Sequence, residues 1–125
     1  MPFSLSWNEL RSRDLTAAKK FYQEAFGIEP AEFPMPDGTY TIFQVDGRGV
    51  AGAAQMGADF PADVPSHWQV YFAVDDADAV TAKAKSLGAT VISEPYDIPD
   101  VGRIAQFIGP QGEPFAVIKN ATPPA

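Results

Sequence analysis

The apolar and polar positions of this chain fall into one pattern that occurs twice. Phe3, Leu5 and Trp7 alternate with Ser4, Ser6 and Asn8, which predicts a strand over residues 3–10. Asp14 stands where a helix N-cap is needed, because its carboxylate can accept from the free amides of a first turn. Leu15, Ala18, Tyr22 and Ala25/Phe26 then recur at three-to-four spacing, as on one face of an amphipathic helix. Gly27 can take the left-handed conformation that ends it. Three strands are predicted next, over residues 28–33, 39–46 and 50–56. The first is interrupted by Pro30, the second is rich in β-branched and aromatic residues, and the third is built of small ones. The turns that separate them are residues 34–38, with Asp37-Gly38, and residues 46–49.

The second occurrence begins at residue 67. Trp68, Val70, Phe72 and Val74 alternate with His67, Gln69, Tyr71 and Ala73. Asp75/Asp76 cap a helix whose stripe is Ala77, Val80, Ala84 and Leu87, and Gly88 ends it. A short strand over residues 90–93, a proline-containing loop over 94–102, and strands over 103–108 and 113–119 around Gly109-Pro110-Gln111-Gly112 complete it. Trp7 to Trp68, Asp14 to Asp75 and Gly27 to Gly88 are each 61 residues apart. A repeat of this length determines architecture, so the expected fold class is α+β, two strand–helix–three-strand modules in one domain. Module one is residues 1–57, the connection 58–66, module two 67–120 and the tail 121–125. The connection holds Pro61 and Pro65 and no periodicity.

Composition narrows the function. At 125 residues with 46% hydrophobic content, the chain can bury a core without staples. It has no cysteine, which removes disulfides, thiolate metal sites and cysteine nucleophiles. The first residues show no basic-then-apolar signal, and no apolar run approaches a membrane span. The expectation is a cytoplasmic protein with no membrane partner. A net charge of −7 argues against nucleic acid, which needs clustered Lys and Arg. Arg11/Arg13 and Lys19/Lys20 read as solvated edges of a loop and a helix.

The ordered set Asp14…Phe21-Tyr22…Phe26-Gly27, then Val74-Asp75-Asp76…Leu87-Gly88-Ala89, Gly102-Arg103 and Gly109-Pro110-Gln111-Gly112, resembles the vicinal oxygen chelate superfamily. That group contains glyoxalase I, extradiol dioxygenases and bleomycin-resistance proteins. Trp7-x-Glu9-Leu10 and Ile98-Pro99…Gly102-Arg103 look most like a poorly characterised glyoxalase-like branch. The resemblance implies paired βαβββ modules whose curved sheets form a cup, helices outside, usually in a homodimer. In its metal-dependent members it implies a divalent ion held from the first and last strand of each module. Those positions fall here on Trp7, the stretch Gly52–Ala54, Gln69 and Ala116. Tryptophan offers only an N–H, glycine and alanine offer no side-chain donor, and a lone amide does not hold an ion in water. No metal is expected at the usual site and no cofactor is expected, with a divalent ion at another position left open.

The repeat pairs Trp7 with Trp68, whereas the resemblance pairs Trp7 with Gln69, and one residue of slip exchanges the faces of a strand. On the second strand Gln69 and Tyr71 should face the cup. On the first, Trp7 and Glu9 are placed there. The candidate ligand-binding residues are Trp7, Glu9, Gln69, Tyr71 and Arg103. Glu9 and Tyr71 are the best candidates for catalysis. Glu9, if desolvated in the cup, suits general-base work or binding of a cation; otherwise it serves backbone or Arg groups at the rim. Arg103 either clamps an anion or pairs with Asp or Glu of its own domain. His67, the only histidine, is a weak candidate. The function these features support is binding of a small aromatic or cationic molecule without the usual metal. The alternative is a divergent lyase, isomerase or oxygenase.

Overall fold

A computed structural model describes residues 4–35, 38–58, 60–99 and 101–121. Phe3, the Pro36-Asp37 step of the first turn, and residues 122–125 of the tail lie outside them. The described residues form eight strands and two helices, an α+β fold. Two compact units divide at residues 68 and 69. The unit of residues 7–68 takes in the connection, and the strand start at 4–6 is grouped with the unit that begins at Gln69.

In the first module, β1 (Ser4–Ser12), α1 (Leu15–Phe26), β2 (Glu29–Met35), β3 (Gly38–Val45) and β4 (Arg48–Gln55) follow in order. Their sheet runs β2-β3-β4-β1, with β1 parallel to β4 and the other pairs antiparallel. Pro30 and Pro34 are tolerated because β2 is paired only with β3, so a missing N–H can face outward. Asp46 (φ 51°) and Gly47 (φ 78°) make the two-residue turn between Val45 and Arg48, both in the left-handed region such a turn demands. Leu10, Phe43, Ala51 and Ala53 form the core against Leu15, Ala18 and Tyr22 of α1. Phe26, assigned to the helix stripe by spacing, is instead 70% exposed.

The second module repeats this topology. It comprises β5 (His67–Ala73), α2 (Ala77–Ser86), β6 (Thr90–Ile98), β7 (Gly102–Ile108) and β8 (Pro114–Asn120). The order is β5-β8-β7-β6, with β5 parallel to β8. Phe107, Ala105, Val117 and Val74 pack with Ala77, Val80 and Ala84 of α2, while Leu87 lies exposed beyond the helix end. The residues read as a proline loop mostly extend β6. Register shifts between Val91 and Ser93 and between Ser93 and Tyr96 let the strand carry Pro95 and still pair with β7.

The repeat offset is corrected by the helix caps. Asp14 accepts from Ala17 N at 3.1 Å, and Asp76, not Asp75, accepts from Ala79 N at 2.9 Å. The interval from Asp14 to Asp76 is 62. The same offset carries Leu15, Ala18 and Tyr22 onto Ala77, Val80 and Ala84, the inward stripes of the two helices. The value 61 survives only at Gly27 and Gly88, because α2 is two residues shorter than α1 and Gly88 stands second after its helix where Gly27 stands first. Trp7 therefore corresponds to Gln69.

This register predicts different effects for adjacent aspartates. Asp76→Ala should cost about 1 kcal/mol in urea unfolding, the usual loss of an N-cap. Asp75→Ala should stay within about 0.5 kcal/mol, as for a surface change. The reverse order would place the cap one residue earlier.

Candidate functional site

Strand alternation divides each sheet into a face that meets its helix and a face that does not. In the first module the row Leu10–Ala53–Thr41 includes core residues beside α1, so the row Glu9–Gly52–Ile42 lies on the other face. Trp7 and Arg11 share that face with Glu9 by two-residue spacing. Tyr40, two residues before Ile42, joins them from β3.

The four side chains are linked. Trp7 Nε1–H donates to the Tyr40 hydroxyl at 3.1 Å. The Tyr40 hydroxyl donates to Glu9 Oε2 at 2.5 Å. Arg11 Nε lies 2.7 Å from Glu9 Oε1. Glu9 is only 4% exposed, and a carboxylate so placed costs several kcal/mol unless paired and hydrogen-bonded. Arg11 and Tyr40 supply those partners. Gly52 leaves the space they need: a Cβ there would collide with the Tyr40 hydroxyl and stand 2.9 Å from Trp7 Nε1.

Arg11 also lies over the Phe60 ring, 5.7 Å from its centroid, within cation–π range. Phe60 is buried in the connection, with His67 edge-on at 5.5 Å. His67 Nδ1 is 2.8 Å from the Pro65 carbonyl, which can only accept, so the proton sits on Nδ1. Arg13 holds the same segment through Pro61 O at 2.7 Å and Val64 O at 2.8 Å, and its amide donates to Ser66 Oγ. Neither arginine is the simply solvated edge that spacing implied. One neutralises the buried acid, and the other fastens the connection.

In the second module the row Phe72–Val117–Ala105 belongs to the helix side, and the row Tyr71–Ala116–Gln106 faces away. Gln69 shares that second face and is fully buried, donating Nε2–H to Gln106 Oε1 at 3.1 Å. Tyr71 is buried beside it. Arg103 has the parity of Ala105 and sits on the helix side, apart from Gln69 and Tyr71. Its guanidinium grips Asp78 of α2 at 2.8 and 3.0 Å and pairs with Asp97 at 3.2 Å. Of the two readings of Arg103, the structure shows pairing within the domain. The Arg103 hydrogen bond, reinforced by its charge, holds the Asp78 carboxyl below its ordinary value, and the two aspartates push the arginine further up.

The residues at the four expected metal positions do not fit an ion. The Trp7 N–H is a donor engaged by Tyr40, Gly52 and Ala116 bring no donor atom, and Gln69, whose Nε2–H is given to Gln106, leaves only one neutral amide oxygen, which does not hold an ion by itself. Among the described residues no group of three or more His, Cys, Asp and Glu side chains could hold a metal. Tyr40 and Arg11 were missed as site residues, and Gly52 was placed there only as part of an expected ligand stretch without a donor. Arg11 was within reach, since it follows Glu9 by two and so shares its face. Tyr40 and Gly52 become neighbours only through β3–β4–β1 pairing.

A family model described as Glyoxalase/Bleomycin resistance protein/Dioxygenase superfamily matches residues 4–117. The chain is 43% identical over 119 residues to "Putative glyoxylase CFP32" of Mycobacterium tuberculosis, covering 94% of this chain and 44% of that one. It is 38% identical over 128 residues to "Anthracycline biosynthesis protein DnrV" of Streptomyces peucetius, covering 93% of this chain and 46% of that one. The chain thus spans about half the length of these curated relatives. A solved structure, the Mn(II)-bound glyoxalase of Novosphingobium aromaticivorans, superposes with a TM-score of 0.56 at 25% identity, covering 92% of this chain and 38% of that one.

Gly52→Ala should break the Trp7–Tyr40–Glu9 chain. The expected cost is about 1–3 kcal/mol from overpacking, with a shift of the Trp7 indole N–H resonance; an unchanged resonance would refute the contact. A pH dependence follows from Asp78. Its folded-state pKa is depressed, so its contribution is present above its ordinary 3.8 and is lost as pH falls through the lowered value. Thermal melts between neutral and strongly acidic pH should show a shallower acid loss in Asp78→Asn than in the parent. Parallel profiles would deny the linkage.

Proposed function

The chain belongs to the Glyoxalase/Bleomycin resistance protein/Dioxygenase superfamily, and from that premise we propose that it binds a small planar aromatic molecule, with no divalent ion at the family's usual positions. The observation that carries this reading is the Trp7–Tyr40–Glu9–Arg11 network on the helix-free face of the first module. Trp7 and Tyr40 offer apolar rings whose polar atoms are already directed to one another. Such rings supply contact area at little cost in side-chain entropy. Because Arg11 compensates Glu9, the acid offers little to a cation, and the aromatic half of the expectation is the better supported. One relative is named for anthracycline biosynthesis, and anthracyclines are planar and polycyclic. The ligand-binding set proposed is Trp7 and Glu9 with Tyr40 and Arg11. For the second module, taken by itself, Gln69 and Tyr71 are proposed as ligand contacts. The protein is proposed to act as a homodimer in the cytoplasm.

The 2.5 Å Tyr40–Glu9 contact favours a second reading, a proton-transfer enzyme in which Glu9 exchanges a proton with the ligand. On that reading Glu9→Gln keeps the shape and removes the base. It should abolish turnover while binding persists.

The binding reading is tested with 1,4-dihydroxyanthraquinone as probe, in EDTA, on a Trp68→Phe background that leaves Trp7 as the sole tryptophan. Saturable quenching of Trp7 is expected, and Tyr40→Ala should weaken the affinity about tenfold, near the upper end of what an aromatic contact contributes. Quenching that never saturates, or an affinity unaltered by Tyr40→Ala, would remove the proposal.

A further inference from the structure

The helix-free face of the second module holds a pair of amides that the fold does not require. Gln69 is fully buried and Gln106 nearly so. Gln106 stands opposite Ala116, and Ala116 opposite Tyr71, in one cross-strand row. Two residues along, Ile104 faces Ile118 on the same side, and both are buried. In the first module Trp7 takes the place of Gln69, and Ile42, opposite Gly52, takes the place of Gln106. The same strand pairing therefore forms with no amide at either position.

The pair is also incomplete. Gln69 Nε2–H donates to Gln106 Oε1 at 3.1 Å, which fixes the orientation of the Gln69 amide. Gln69 Oε1 is shut away from solvent and accepts no hydrogen bond among the described residues. A buried carbonyl left in that state carries its desolvation penalty uncompensated, whereas two apolar side chains of similar shape would carry none. Packing alone thus gives no reason for the pair. A donor on a bound molecule does, because the dehydration of Oε1 has already been incurred in folding. A site that hydrogen-bonds a ligand O–H or N–H in this way discriminates against the analogue that lacks it.

We infer that Gln69 selects ligands by accepting a hydrogen bond from an O–H or N–H on the edge of the aromatic body. Gln106 is the positioning residue that holds the Gln69 amide, and the Ile104–Ile118 pair offers the apolar surface of the same face. The ligand class narrows from planar aromatics to those with a free donor on the ring edge. Because Gln69 is closed to solvent, the ligand enters by displacing side chains packed on this face. The inference rests on the aromatic-ligand reading above and specifies the chemistry it recognises.

Equilibrium dialysis of the whole chain against anthraquinone and its 2-hydroxy, 2-amino and 2-methoxy derivatives tests it, in buffer acidic enough to keep the hydroxyl protonated. A donor-bearing derivative should bind about tenfold more tightly than the methoxy and unsubstituted compounds, and the tighter of the two donors tells whether O–H or N–H is read. Gln69→Met with Gln106→Met should reduce that preference to within about twofold while melting no lower than the parent, since both partners are replaced together. In the 15N-labelled parent, the Gln69 side-chain amide resonances should shift with the preferred donor and not with the methoxy compound. Saturable but equal binding of all four overturns this inference and leaves the aromatic reading standing. No saturable binding of any of them overturns both. Unmoved Gln69 resonances, or a preference that survives the double substitution, also overturns the role of Gln69. A double variant that melts lower than the parent and keeps the preference shows the pair to be structural.

Discussion

The parallel pairing of the first strand of each module with its last is the constraint on which the other placements depend. Leu10 opposite Ala53 and Phe72 opposite Val117 put one row of each sheet under its helix. The alternate rows, Glu9 with Gly52 and Tyr71 with Ala116, then have to face the other way. A shift of one residue would carry Glu9 into the apolar cluster and Leu10 out of it. The same register makes Asp76 the cap of α2, because the cap must stand a set distance from the strand that feeds the helix.

A buried carboxylate is the most costly group in the first module, and its surroundings are arranged to offset that cost. Arg11 neutralises Glu9, Tyr40 hydrogen-bonds it, and Trp7 orients the Tyr40 hydroxyl. Gly52 is the condition for all three, since any side chain there would displace the phenol. The connection that follows β4 is tied to the same place by Phe60 under Arg11 and by the hydrogen bonds of Arg13. Chemistry and chain path are thus coupled within one unit. The Glu9 carboxylate is thus a compensated, hydrogen-bonded group, which is a different environment from a free acid.

Much of this was legible beforehand. The helices, the turn at Asp46-Gly47 and the duplication appear as periodicity and as residues with special backbone freedom. The placement of Trp7 with Glu9 followed from asking which face could tolerate an acid. The extension of β6 through Pro95 was not legible, because proline is locally a breaker and is accommodated here only by register shifts against β7. Leu87 and Phe26 misled in the other direction: their spacing is helical, but they lie at helix ends and are exposed.

The amino-acid order by itself determined the two βαβββ modules, the family, and the lack of ion-binding side chains at the expected strand positions. These depend on residue type and local spacing, which the chain carries whatever its three-dimensional neighbours. The tertiary structure alone decided the offset of the repeat, the engagement of Arg103 with Asp78 and Asp97, and the identity of Tyr40, Arg11 and Gly52 as the surroundings of Glu9. Apart from Arg11 and Asp97, those partners come from strands or helices distant in sequence. Their proximity is set by hydrogen-bond register across the sheet, to which local patterns are blind.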